Sequence, residues 1–160
     1  MEPRRYVTTK RAEAQKRGSR KRAVRNSGRG GQILASKVVL HKAVPSPFAA
    51  EAHACLQAIQ LGIHLGLESV IIEGDSMTTI KKCSSANPDK SVIGPIIRDI
   101  HRQKEHFQRV VFQYTPKSAN LLAHTLAYES LKKGEEFYLD GHLPYLVRRV
   151  LEMRRQRNPD

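Results

Sequence analysis

The sequence predicts an α/β fold in which helices cover a mixed sheet. Short β-branched apolar runs alternate with segments of helical apolar spacing, which indicates layered strands and helices. A Gly-rich turn ahead of the first helix reads as a hairpin, which makes the sheet mixed. The 160 residues suffice for one domain with a core, and with no Trp and few aromatics that core is aliphatic.

In chain order, residues 1–21 read as a basic, solvated arm, with Tyr6-Val7-Thr8-Thr9 its only strand-like patch. An opening strand is therefore uncertain or missing. Ala23–Asn26 and Gln32–Leu40 flank the turn Ser27–Gly31 and form the predicted hairpin. Ser46 and Pro47 suit the cap and first position of a helix. In it, Phe48, Ala52, Cys55, Leu56, Ile59 and Ile63 share one face, Glu51 sits beside that face, and Gly62 and Gly66 close the helix. Val70, Ile71 and Ile72 suit a strand buried on both faces, which Gly74 breaks. Ser76 caps a helix over 76–84, another begins near Pro95 and ends near Gln103, and Arg109–Tyr114 is a strand. Ser118-Ala119-Asn120 opens the last main helix. Its apolar side is Leu121, Leu122, Thr125, Leu126 and Tyr128, and Gly134 ends it. Residues 135–160 read as a basic tail with helical character.

The net charge of +13 is uneven, because residues 1–31 hold eleven Lys and Arg against Glu2 and Glu13. A polyanion, first of all nucleic acid, is the partner this implies. Lys10, Arg11, Lys16, Arg17, Arg20, Lys21 and Arg22 are candidate phosphate contacts, joined by Lys117 and Asn120 at the mouth of the last helix. No apolar run approaches the length of a membrane span, and the N-terminus does not read as a secretory signal. Cys55 and Cys83 fit no disulfide or metal spacing. The expectation is an intracellular protein, of nucleus or cytoplasm, and a monomer.

Three polar residues stand at element ends: Glu51, Asp75 and His124. Each has an ordinary structural account, as a solvated helix residue, a turn residue and a structural histidine. Asp75, however, follows a buried strand, where open α/β sheets place their sites.

Four stretches, in order, resemble the ribonuclease H family in its plant reverse-transcriptase-like branch. They are Arg25-Asn26-Ser27 with Gly31–Ala35, Pro45–Ala52, Val70–Ser76, and Ser118–Ala127. The resemblance spans 22–134, taken as the domain. It implies a three-layer fold with a five-stranded mixed sheet. It also implies two magnesium ions, with manganese as a substitute, that bracket the scissile phosphate of an RNA strand paired to DNA. By position Glu51 and Asp75 match metal-ligating carboxylates, and His124 stands at the edge of that site as the third catalytic candidate.

Two positions depart from the family pattern. The family's first aspartate lies on the opening strand, and here no Asp precedes Asp75. The last-helix position, commonly Asp, is His124, and imidazole is a poor magnesium ligand. Losing one carboxylate of a two-metal site costs a factor of ~1000 or more in rate. Two readings follow: a ribonuclease acting on RNA–DNA hybrids, or a catalytically inactive, nucleic-acid-binding relic of a retroelement-type ribonuclease H.

Overall fold

The computed structural model describes residues 35–41, 44–140 and 145–157. The basic arm, the predicted turn at 27–31 and the first half of the hairpin lie outside these residues. The described order is β1 (Ala35–Val38), α1 (Pro47–His64), β2 (Ser69–Gly74), α2 (Met77–Ser84), α3 (Gly94–Gln103), a 3₁₀ turn at Lys104–His106, β3 (Arg109–Tyr114), α4 (Leu121–Lys133), β4 (Phe137–Asp140) and α5 (Tyr145–Arg157).

The helix ends follow from local chemistry. The Ser46 hydroxyl accepts the Ala49 N–H at 3.1 Å, and Pro47 fixes the first turn of α1. The Ser76 hydroxyl accepts the Thr79 N–H at 3.3 Å and starts α2 directly after Asp75. Gly134 takes the left-handed conformation, φ 69°, that ends α4.

β2 and β3 pair in parallel, from Ser69↔Arg109 to Gly74↔Tyr114. Val70 and Ile72 turn from this pair into the main core, where they join Cys55 and Ile59 of α1 with Ile97 and Ile100 of α3. Burial of each such isoleucine contributes about 1.5–3 kcal/mol. A second, smaller core gathers Val38, Leu126 and Val147, with Leu122 and Phe137 packed against it.

The mixed α/β fold is as expected, and among the described residues the strands make two pairs, β2–β3 and β1–β4. Several expectations are corrected by packing. β4, read from sequence as part of the tail, pairs antiparallel with β1 from Ala35↔Asp140 to Val38↔Phe137. Phe48 is 52% exposed, because Ala49 and Ala50 take the inward positions of the first turn. Tyr128 is 64% exposed, since Thr125, Leu126 and Ser130 form the inward side of α4. Gly62 lies inside α1 rather than at its end. A Cβ there would stand 3.0 Å from the Phe107 ring, so the glycine admits that ring against the helix.

The link from α2 to α3 is held by polar contacts. The Lys82 ammonium pairs with Asp89, and the Asp89 carboxylate accepts the Ser91 N–H at 2.7 Å. A Cβ on Gly94 would come within 2.2 Å of the Asp89 carbonyl oxygen, so glycine is required at this close approach. The Lys82 hydrogen bond, helped by Ser91, pulls the Asp89 carboxyl from 3.8 to about 2. A carboxyl depressed on folding stabilises above its unfolded value and loses that contribution as pH falls through its folded value. In acid titrations followed by circular dichroism, part of the stability is therefore expected to disappear between about pH 4 and pH 2. Asp89→Asn should remove that part of the slope. An unchanged slope would show that the carboxylate does not hold the link.

Candidate nucleic-acid site

The carboxyl end of β2 is fixed by its neighbour. The Gly74 carbonyl accepts the Thr115 N–H at 2.9 Å, which continues the parallel ladder one step past β3. Asp75 follows at once, with the cap of α2 behind it. Its backbone direction is thus set on both sides before its side chain makes any contact.

The side chain of Asp75 is 6% exposed, and Nε2 of His124 lies 2.9 Å from its Oδ2. The imidazole N–H donates to the carboxylate. A carboxylate taken this far from water needs such a donor. His124 is 42% exposed, so the pair opens to solvent on the histidine side. Its place on α4 follows from Asn120, the N-cap, whose carbonyl accepts the His124 N–H at 3.2 Å. The Asn120 side chain makes no capping bond. Lys117 is exposed in the turn that leads into α4. Asp75, His124, Asn120 and Lys117 therefore belong to one end of the fold.

Glu51 is half-buried in the second turn of α1. It does not complete a metal cluster with Asp75 and His124: among the described residues, no group of three His, Cys, Asp or Glu side chains could hold a metal ion. Magnesium prefers six oxygens in near-octahedral array. Two carboxylates and one imidazole, already bonded to one of them, do not fit a pair of such ions. The candidates at Lys10, Arg11, Lys16, Arg17, Arg20, Lys21 and Arg22 lie outside the described residues.

The direct Asp75–His124 bond was not readable from sequence, where 49 residues separate the partners. Nor was the stacking of His41 on His53, with ring centroids 4.7 Å apart. Burial, and secondly the His41 charge, lower the His53 pKa below 6.5. No spacing rule marks this pair, because it joins the segment after β1 to the middle of α1.

The model of the reverse transcriptase-like family matches residues 10–130. The chain belongs to this family. It is thereby a member of the ribonuclease H-like superfamily, and the fold agrees. One similar solved structure is the N-terminal RNase H domain of a Mycobacterium tuberculosis protein, determined as a fusion with maltose-binding protein. It is 15% identical, with a TM-score of 0.52 over 59% of this chain and 82% of that one. Another is RNase H1 of the halophilic archaeon Halobacterium salinarum, 18% identical, with a TM-score of 0.51 over 67% of this chain and 92% of that one. No curated protein matches the chain.

For a reverse transcriptase-like domain, the bond between the strand-end carboxylate and the last helix has a measurable strength. A double-mutant cycle of Asp75→Ala and His124→Ala, read by urea unfolding, is expected to give a coupling energy of about 1 kcal/mol. Additive effects would mean that the two side chains do not meet in solution.

Proposed function

We propose that this chain is a ribonuclease H-type domain that binds RNA–DNA hybrids, with hydrolysis of the RNA strand reduced about a thousandfold or abolished. The observation that carries the reading is the place of Asp75. It is a nearly buried carboxylate at the carboxyl end of a parallel strand, bonded to a histidine on the last helix. Family membership supports nucleic acid as the partner, and the net charge of +13 supports a polyanion.

Binding and chemistry make different demands. Phosphate binding needs cations and amides, which Lys117, Asn120 and the basic arm supply. Magnesium, where a related site holds it, activates water and stabilises the leaving oxygen. Here Glu51 and Asp75 match metal-ligating carboxylates by position only, the described residues hold no group of three ligands, and no Asp precedes Asp75. The reduced rate follows from that deficit. His124 positions Asp75 and offsets part of its charge through the donated N–H.

The test is cleavage of a labelled RNA–DNA hybrid with magnesium and then manganese, beside binding of the same hybrid and beside Asp75→Asn. Binding without detectable cleavage, or with cleavage about a thousandth of an intact two-metal enzyme, is expected. Efficient cleavage abolished by Asp75→Asn would overturn the reduced-activity reading and require an upstream group to replace the missing aspartate. Folded protein that binds no hybrid would sink the reading as a whole. Deletion of residues 1–21 should weaken binding and flatten its dependence on salt. Unchanged binding would remove the arm from the interface.

A further inference from the structure

The net positive charge of this chain is concentrated in two segments. Outside residues 1–31 and α5, the chain holds twelve basic and twelve acidic groups. α5 itself holds five arginines, no lysine and one acid, Glu152. It therefore carries all the net positive charge that lies beyond the N-terminal arm. It also lies past residue 130, where the match to the reverse transcriptase-like family stops, so the family's shared fold does not account for it.

The structure holds this helix in place. Val147 is buried in the smaller core with Val38 and Leu126, and Leu122 packs against them. Leu122 and Leu126 each lie two residues from His124, which on a helix is close to the opposite side. α4 thus carries α5 on one side and reaches Asp75 on the other. Arg148 and Arg149, next to the anchoring Val147, are exposed, and among the described residues neither forms an ion pair with a carboxylate. Glu152, one turn on, is exposed as well. A solvated surface helix does not require arginine to the exclusion of lysine. Arginine, with its planar fork of donors, matches phosphate geometry.

We propose that α5 is a second phosphate-contacting element of this domain, with Arg148 and Arg149 binding the sugar–phosphate backbone of a nucleic-acid duplex. The inference rests on nucleic acid being the partner. It adds a contact surface on the side of α4 opposite the Asp75–His124 pair. Such contacts fix position on the duplex and do not read sequence.

The experiment is fluorescence anisotropy of the full chain with a labelled RNA–DNA hybrid and with duplex DNA of the same sequence, across about 50 to 200 mM salt. Wild type is compared with Arg148→Ala/Arg149→Ala and with Arg98→Ala/Arg102→Ala, which removes two exposed charges from α3. Circular dichroism checks that each variant is folded. The α5 variant is expected to weaken binding to both duplexes by a similar factor and to lower the slope of log affinity against log salt by about 2, while the α3 variant matches wild type. An unchanged slope, or an equal effect of the α3 variant, would overturn the proposal. So would an α5 variant that loses binding to phosphatidylserine vesicles and keeps its binding to duplexes, since the helix would then be a lipid element. Hybrid preference is read separately from wild type alone. Equal binding of hybrid and DNA would remove the hybrid reading and leave the α5 test intact.

Discussion

The hydrogen bond between His124 and Asp75 joins two apolar cores that are otherwise built apart. The larger core lies between α1, the β2–β3 pair and α3, and the smaller one between β1, α4 and α5. Polar and aromatic contacts cross between them. Besides the 2.9 Å bond to Asp75, Lys37 of β1 donates to Gln57 of α1 at 2.8 Å. His41 stacks on His53, and His64 of α1 meets the Tyr138 ring edge-on at 5.9 Å. Such contacts are directional, so they fix how α4 stands against the end of β2. Apolar burial alone would tolerate several placements.

That arrangement makes the Asp75 end a consequence of packing. The Gly74 carbonyl is held by Thr115, α2 starts at Ser76, and one residue is left between them to project a carboxylate. Burying that carboxylate costs free energy unless a donor meets it, and the donor comes from the other core. A structural role alone would be served more cheaply by an apolar residue. The carboxylate is therefore consistent with the proposed binding role of this end of the sheet.

Local chemistry was legible in the sequence where one or two residues decide an outcome. Ser46-Pro47, Ser76 and Gly134 mark helix ends that the structure reproduces, and Val70–Ile72 marks β2, where Val70 and Ile72 are buried but Ile71, expected to be covered too, is half-buried. Legibility failed where the deciding partner is remote. Phe48 and Tyr128 fit a helical apolar stripe but face solvent, because small residues beside them satisfy the packing. Gly62 resembles a helix end, and only the approach of the Phe107 ring explains it within α1. β4 is four residues long, too short for a periodic signal, and exists through its pairing with β1. At the site, Asp75 was recognisable from its strand and His124 from its helix. Their bond was not, because it depends on how the two cores meet.

Electrostatics connects the site to the charged segments. In a two-metal site the ions turn a cluster of carboxylates into a surface that attracts phosphate. On the proposed reading, a site without those ions leaves the Asp75 carboxylate facing a phosphate backbone, and the N–H from His124 offsets part of its charge. Between the arm and α5, residues 32–144 hold twelve basic and eleven acidic groups, close to balance. Net positive charge is concentrated in residues 1–31 and α5, so on the proposed reading these segments add to what Lys117 and Asn120 supply. On the proposed reading, a domain that has lost a metal ligand stays on its substrate class through peripheral cations. The phosphate-binding function is thereby separated from the position where the chemistry of its relatives takes place.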